Sequence, residues 1–256
     1  MLQTFSLLIQ RALFRTAADN DAQKEITMQT SVCRWAFSVI LAGILVLTSA
    51  TARSEFYVAG QAGISLPGSF TNVEGLGSAF GGAGFKSTDL DLANSVLLGA
   101  KVGFFFPRLN WLGIEGEYFH TNPHIKQQSA TITAPNGATG TLEKPGAHVS
   151  MSTGAINVIA RYPGKRFQPY VGVGLGMFGA SVSSNQVQTL NNQPLSASDF
   201  SFGLNALGGV RYFLTKRVAL FGEYKYNRAS FQFEGNAQFK ADYSASNIVG
   251  GISLHF

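Results

Sequence analysis

The chain has 256 residues, of which 13% are charged, 12% are aromatic and 45% are hydrophobic, and its formal net charge is +5. Soluble domains usually carry about a quarter charged residues, so this composition argues against an ordinary soluble domain. The basic residues form no long run, which argues against nucleic-acid binding. The single cysteine, Cys33, excludes a disulfide framework within one chain.

The first 52 residues are predicted to be a targeting segment. Arg34 precedes an apolar run at 35–47, which ends in small residues that include Ala50 and Ala52. This pattern is typical of a secretory signal peptide with cleavage after Ala52. The alternative is an anchor helix, but the run is shorter than the roughly 20 residues that span a bilayer.

Two domains are therefore expected. Residues 1–52 are the N-terminal extension and signal peptide, and 53–256 are the mature domain. A start at Met28 gives a signal peptide of ordinary length at 28–52, so residues 1–27 have no evident role. The mature chain would then contain no cysteine.

After this segment the sequence alternates apolar and polar residues, which indicates β-strands. Val96, Leu98 and Val102, for example, alternate with a face that carries Lys101. Lengths near ten residues suit tilted strands that cross a membrane. The predicted strands are 55–66, 95–105, 111–121, 149–162, 167–180, 199–214, 218–227 and 244–256.

The connections between these strands alternate in length. Three are short turns, at 106–110, 163–166 and 215–217, and four are long and polar, at 67–94, 122–148, 181–198 and 228–242. This alternation is typical of bacterial outer-membrane barrels, with periplasmic turns and extracellular loops. The sequence thus predicts an all-β, eight-stranded antiparallel up-and-down transmembrane β-barrel with both termini in the periplasm. The last strand should pair with the first and remove the open edge.

Several charged residues fall on the inward faces of the predicted strands. Unpaired burial is costly, so four cations and three carboxylates are expected to pair across the interior. Eight strands leave room for side chains but little for a column of water, which disfavours an open pore. The predicted interior charge network is Lys101, Glu115, Glu117, Arg161, Arg211, Glu223 and Lys225.

Aromatic residues near the strand ends predict two girdles at the membrane interfaces. One is expected at the short-turn rim, and the other, with Tyr118, Phe178, Phe202, Tyr224 and Tyr226, at the opposite rim. The short turns carry basic residues and no acid, which indicates contacts with anionic lipid headgroups or simply solvated turns. These basic residues are Arg108, Lys165, Arg166, Lys216 and Arg217.

No catalytic or cofactor motif is supported. Residues 174–179 match a dinucleotide-binding glycine pattern, but no helical pattern follows. His120, His124 and His148 lack ligand spacing, so solvated histidines are expected and a weak metal site is the alternative. Glu117, His120 and Ser150 together would be one arrangement for an enzyme at the outer rim. We predict no enzymatic activity, no metal and no cofactor.

Four segments carry a resemblance to a known family: 169–176 (PYVGVGLG), 208–213 (GGVRYF), 220–226 (LFGEYKY) and 252–256 (ISLHF). On these segments the chain resembles the outer-membrane β-barrel domain family that includes the OmpA transmembrane domain and opacity-type surface proteins. The resemblance implies insertion by the barrel-assembly machinery, which recognises the terminal aromatic strand. Ile252, Leu254 and Phe256 would form this assembly signal. The resemblance covers the barrel and not the peptidoglycan-binding domain of full-length OmpA, so it does not imply anchoring to the cell wall.

Two functions remain from the sequence. The first is a structural and surface-interaction role, in which four extracellular loops contact an external ligand and the barrel contacts outer-membrane lipid and lipopolysaccharide. The second is a narrow channel for small solutes.

Overall fold

A computed structural model of the protein describes residues 55–76, 83–144, 146–188, 194–235 and 238–256. These residues form thirteen β-strands. Within these ranges no helix is long and apolar enough to cross a membrane. The predicted signal peptide, with Ala50 and Ala52 at its cleavage site, lies outside the described residues.

Eight long strands form the barrel wall. Five shorter strands lie in the connections: β2 (Thr71–Gly75), β3 (Lys86–Ser87), β6 (His124–Ile125), β7 (Gln128–Thr133) and β8 (Thr139–Lys144). The wall strands are β1 (Glu55–Pro67), β4 (Ser95–Phe105), β5 (Leu112–Thr121), β9 (Ala147–Arg161), β10 (Phe167–Gln188), β11 (Pro194–Phe213), β12 (Val218–Gly235) and β13 (Phe239–His255).

The wall closes on itself. Each wall strand pairs antiparallel with its neighbours in the order β1-β4-β5-β9-β10-β11-β12-β13, and β13 pairs back with β1. In this last pair Ile248 lies opposite Ile64 and Leu254 lies opposite Val58. The backbone N–H of Phe256 donates to the carbonyl of Phe56 at 2.9 Å. Closure leaves no free edge in the wall, and the predicted eight-stranded barrel is confirmed.

Alternation along each strand separates a lipid-type outer face from a filled interior. In β10, Val173 and Leu175 are both 67% exposed on the outside, whereas Phe178 is buried inside. Phe178 was predicted to join an aromatic girdle. That prediction is wrong because Phe178 is an odd number of residues away from the outward Val173 and Leu175.

The two ends of the barrel differ. We call the end with the short connections 106–111, 162–166 and 214–217 the turn end, and the opposite end the loop end. At the loop end β10 and β11 reach 22 and 20 residues, well beyond the predicted lengths. Most of the predicted loops 181–198 and 228–242 are therefore strand.

The reason is a change in which face is apolar. In the last part of β12, Phe231 and Phe233 are buried inside the barrel, while Ser230, Gln232 and Glu234 are exposed outside. Alternation continues here, but its outward face is polar. Such a face suits water rather than lipid, so these strand ends extend beyond the apolar band of the wall.

The sheet continues beyond the wall strands at the loop end, and we call this extension the loop-end sheet. β2 pairs with β13, and β3, β7 and β8 follow in order. Asn72 in β2 has a φ of 52°, a backbone conformation that asparagine tolerates well. Buried apolar residues fill the space inside this end, and we call them the loop-end core: Phe70, Val73, Leu90, Leu92, Ile125, Ala147, Val149, Met151, Phe178, Ala180, Val182, Ala197, Ala229, Phe231, Phe233, Phe239, Ala241, Tyr243 and Ala245.

Candidate functional site

Five of the seven predicted inward charges meet in the middle of the barrel. The Lys101 ammonium lies 2.9 Å from a Glu115 oxygen, 2.8 Å from Glu223 and 3.8 Å from Glu117. Lys225 pairs with Glu117 and lies 3.4 Å from Glu223. All five side chains are almost inaccessible to solvent. We call this group the interior charge cluster; it holds two cations and three carboxylates.

Neutral polar groups form further hydrogen bonds with the charged groups of this cluster. The Tyr57 hydroxyl donates to Glu115 at 2.5 Å, and the Tyr170 hydroxyl donates to Glu223 at 2.9 Å. Lys225 also donates to the amide oxygen of Gln61 at 2.9 Å. Such hydrogen bonds satisfy the charged groups after their removal from water, which is the condition for tolerating them in a closed interior.

A ladder of four asparagines extends the network toward the loop end. Asn205 donates to Glu117 at 2.5 Å and to Asn157 at 2.8 Å. Asn227 donates to Asn205 at 2.7 Å, and Asn247 donates to Asn227 at 2.6 Å. These residues stand on β9, β11, β12 and β13, so the ladder ties four wall strands together across the interior.

Arg161 and Arg211 lie closer to the turn end. Arg161 forms an ion pair with Glu55, and Glu55 also lies 2.8 Å from the imidazole of His255. The sequence analysis did not identify Glu55 as an inward residue. With Glu55 the number of inward carboxylates is four, which equals the number of inward cations. Arg211 is 97% buried with its guanidinium over the ring of Tyr57 at 4.2 Å. Its Nε has no hydrogen-bond partner among the described residues, so aromatic faces are its main contacts.

The structure brings together two of the three histidines considered from the sequence: His124 on β6 lies opposite His148 on β9, with the ring centroids 4.0 Å apart. The arrangement of Glu117, His120 and Ser150 is not formed. Glu117 points inward, whereas His120 lies on the opposite side of the same strand. The His120 ring bonds to Ser152 and to Asn122, at 3.0 Å each, rather than to Ser150. Within the described ranges, no group of three or more His, Cys, Asp or Glu residues has the geometry of a metal site.

The glycine pattern at 174–179 serves packing in this structure. A Cβ on Gly174 would overlap the amide oxygen of Asn157, and a Cβ on Gly172 would overlap the side chain of Ile159. Because Gly174 on β10 has no side chain, Asn157 on β9 can reach across β10 and bond to Asn205 on β11.

The predicted assembly residues lie on the outer face of β13 and at the residue that follows it. Ile252 and Leu254 are exposed, and Phe256 is 71% exposed at the turn end, where its ring packs 6.2 Å from that of Phe56. These three side chains form an apolar, aromatic-tipped face on the strand that closes the barrel.

Deleting Phe256 is expected to reduce the amount of assembled barrel several-fold in growing cells, because the closing strand loses its terminal aromatic ring and its last bond to β1. The measurement is heat-modifiable gel migration of the outer-membrane fraction. A matched control is Phe202→Ala, which removes another exposed ring from the outer face but leaves the terminus intact. Wild-type amounts of assembled protein after the deletion would contradict the predicted role of Phe256 in assembly.

Gly103 tests how closely the interior is packed. A Cβ at this position would overlap the ring of Tyr57, whose hydroxyl bonds to Glu115. Gly103→Ala should therefore destabilise the barrel by about 1–3 kcal/mol through overpacking. Gly222→Ala is the control, since nothing lies within 4 Å of its Cβ position. Denaturant titration of both variants in lipid vesicles compares them, and equal midpoints would refute the close packing.

A closed, eight-stranded antiparallel barrel with an apolar outer band, a polar and charged centre and long connections at one end defines a transmembrane β-barrel of the bacterial outer-membrane type. The outer membrane protein beta-barrel domain model matches residues 37–256, and the chain belongs to this family. No curated protein sequence matches the chain.

Several solved outer-membrane barrels resemble the structure. Neisserial surface protein A (NspA) is 16% identical, with a TM-score of 0.48 over 78% of this chain and 97% of that protein. OprG from Pseudomonas aeruginosa is 16% identical, with a TM-score of 0.48 over 80% of this chain and 96% of that protein. Ail of Yersinia pestis is 15% identical, with a TM-score of 0.42 over 79% of this chain and 98% of that protein. The family assignment rests on the match over 37–256 and not on these three structures.

Proposed function

We propose that this outer-membrane barrel protein has a structural and surface-interaction role, and that it presents its loop end to the outside of the cell. The observation that carries the proposal is the loop-end sheet, an ordered extension of the wall with its own apolar core. The turn end, with its short connections and the barrel's first and last residues, then faces the periplasm. The long polar loops of bacterial barrels face outward in the same way.

The surface of this extension is polar and held by hydrogen bonds. The Ser230 hydroxyl donates to Asp242 at 2.6 Å, and the Asn72 amide donates to the other oxygen of Asp242 at 2.8 Å. These two hydrogen bonds hold the pKa of Asp242 below its usual value, and the bond from Ser230 has the larger effect. β2 is thereby fixed against β12 and β13, and a surface ordered before binding loses less entropy when it meets a ligand.

The filled interior argues against the narrow channel, the other function considered. The interior charge cluster occupies the middle of the barrel, and the loop-end core occupies the space beyond it. Passage of a solute would require charged side chains to separate inside the wall, which is costly. We expect no stable, large conductance in planar bilayers. Long-lived channels formed by the purified protein would favour the channel function.

The β7–β8 hairpin offers a direct test of the surface role. The hairpin 128–144 pairs with β3 through β7, and β6, which precedes it in the chain, pairs with β9. A short Gly-Ser link between 127 and 146 therefore removes the hairpin and leaves every wall strand in place. The probe is an array of immobilised glycans and extracellular proteins, to which the purified, folded protein is applied. We expect binding to at least one array component, lost on hairpin deletion.

Arg108→Gln is the control because it changes an exposed residue at the other end of the barrel. Both variants should show the heat-dependent gel shift of a closed barrel. Binding that survives the deletion, or the absence of binding to any array component, would count against a role for this hairpin.

A further inference from the structure

We propose that the turn end contains a binding site for a phosphate-bearing ligand. A recess with a cavity volume of about 960 Å³ opens there between the connections 162–166 and 214–217, and we call it the turn-end recess. Its lining includes the basic side chains of Lys165, Arg166, Lys216 and Arg217. This site lies at the opposite end from the proposed surface-interaction region and does not depend on it.

The two connections are held in place by the barrel. The backbone N–H of Phe213 donates to the carbonyl of Arg166 at 2.8 Å, and that of His255 donates to the carbonyl of Arg217 at 2.8 Å. The Gln168 amide donates to the carbonyl of Gly164 at 2.8 Å. The backbone that carries the four cations is therefore fixed before any ligand arrives, which lowers the entropic cost of binding.

The recess carries uncompensated positive charge. None of the four basic side chains forms an ion pair with another described residue. Glu55, whose side chain is the acidic one in the lining, is already engaged by Arg161 and His255. Like charges that surround one cavity repel one another and create a positive potential inside it, so an anion that enters relieves this repulsion.

Phosphate fits this combination of donors. Arginine offers paired N–H groups that match phosphate oxygens, and lysine adds point charges. Phe213, Leu214 and Phe256 stand in the same lining, and Leu214 and Phe256 are more than half exposed. An apolar wall beside a cationic one suits a phosphate ester with an apolar neighbour. A phospholipid headgroup and a soluble phosphate compound share this chemistry.

Binding is tested with two probes on the folded protein. Inorganic pyrophosphate is titrated into protein in non-ionic detergent by calorimetry. In parallel, lipid retention is counted by native mass spectrometry after release from nanodiscs that contain phosphatidylglycerol or phosphatidylcholine. The test variant is the double change Arg166→Gln and Arg217→Gln. The control is Arg108→Gln with Lys240→Gln, which removes the same charge from two residues outside the recess.

We expect saturable binding that the recess variant weakens about tenfold or more and the control leaves unchanged, since each lost charge-assisted bond weakens binding substantially. Recess-dependent binding of pyrophosphate identifies a soluble phosphate ligand, and recess-dependent retention of phosphatidylglycerol alone identifies a headgroup. Equal losses in both variants, or no saturable binding of either probe, would overturn the proposal. Heat-modifiable migration verifies that each variant is folded.

Discussion

Replacing Lys101 with methionine is expected to destabilise the folded barrel by about 3–5 kcal/mol, because removal of one partner leaves buried charge without compensation. Lys101 is the only cation within 4 Å of Glu115 among the described residues, and it also contacts Glu223 at 2.8 Å. Without it, Glu115 has no cation within 4 Å among the described residues, and Glu117 and Glu223 share Lys225. Methionine has a similar volume, so packing changes little and the loss is mainly electrostatic.

The free energy of unfolding is measured by denaturant titration of protein folded into lipid vesicles. Trp111 lies at the turn end and reports the transition by its fluorescence; the other tryptophan, Trp35, precedes the barrel. Lys165→Met is the matched control, since an exposed lysine outside any ion pair should change stability by no more than about 0.5 kcal/mol.

A second substitution separates electrostatics from packing. Adding Glu115→Gln to Lys101→Met removes the carboxylate that has lost its cation and should recover part of the lost stability, because the two sites are in direct contact and their effects are not additive. A double variant that is less stable than Lys101→Met alone would refute the electrostatic explanation. So would a Lys101→Met protein as stable as the Lys165→Met control.

The wall and much of the charged interior could be predicted because both follow from alternation within one strand. The apolar side chains that face lipid mark the outward positions, and the intervening positions must then face inward. Lys101 is assigned to the interior by Val96, Leu98 and Val102 beside it, with no knowledge of its partners. The sequence does not say which carboxylate meets which cation, because that depends on how eight strands are staggered around the barrel.

Glu55 and Arg211 show where this reasoning stops. Glu55 stands at the first residue of β1, before the alternation has begun, and it meets His255 only because barrel closure brings together residues 200 positions apart in the chain. Arg211 is buried, and the sequence predicts that it pairs with a carboxylate. Its contacts are the rings of Tyr57, Phe105 and Tyr170, which apolar-polar patterning does not mark as partners for a cation.

The loop end was missed for a different reason. The sequence predicts loops at 181–198 and 228–242 because these stretches are polar and the strands before them are already long enough to cross a membrane. In β12 the apolar positions move from the outer face at Tyr224 and Tyr226 to the inner face at Phe231 and Phe233. The alternation with a period of two continues through this change. What changes is that the outer face becomes polar and the inner face becomes apolar. A rule that admits both faces would have extended the strand.

The loop-end core makes a second strong prediction. Phe70→Ala should release the segment between β1 and β4 from the loop end while the barrel stays closed. Phe70 is fully buried, with its ring 5.9 Å from Phe233 and 5.8 Å from Tyr243. Truncation of a buried phenylalanine costs about 3–5 kcal/mol. Phe70 lies outside the wall strands, so the cost falls on docking of this segment.

Limited proteolysis measures that docking. Lys86, in β3, is exposed and is held in the sheet by pairing with Glu74 and Thr133, so trypsin requires local opening to cut there. When opening is fast relative to cleavage, the rate follows the population of the open form. A loss of about 3 kcal/mol should then raise cleavage after Lys86 on the order of 100-fold.

Phe202→Ala is the control, because its ring is 82% exposed on the outer face of β11 and contributes nothing to the loop-end core. An unchanged cleavage rate in Phe70→Ala would mean that this segment is held by its strand pairing alone.

The proposed surface role depends on an ordered loop end. Phe70→Ala should therefore also weaken any array binding that involves β2 or β3, and the barrel should keep its heat-dependent gel shift. Loss of that shift would instead mean that the core supports the wall itself, and the loop end would then be part of the barrel's stability rather than a separable surface.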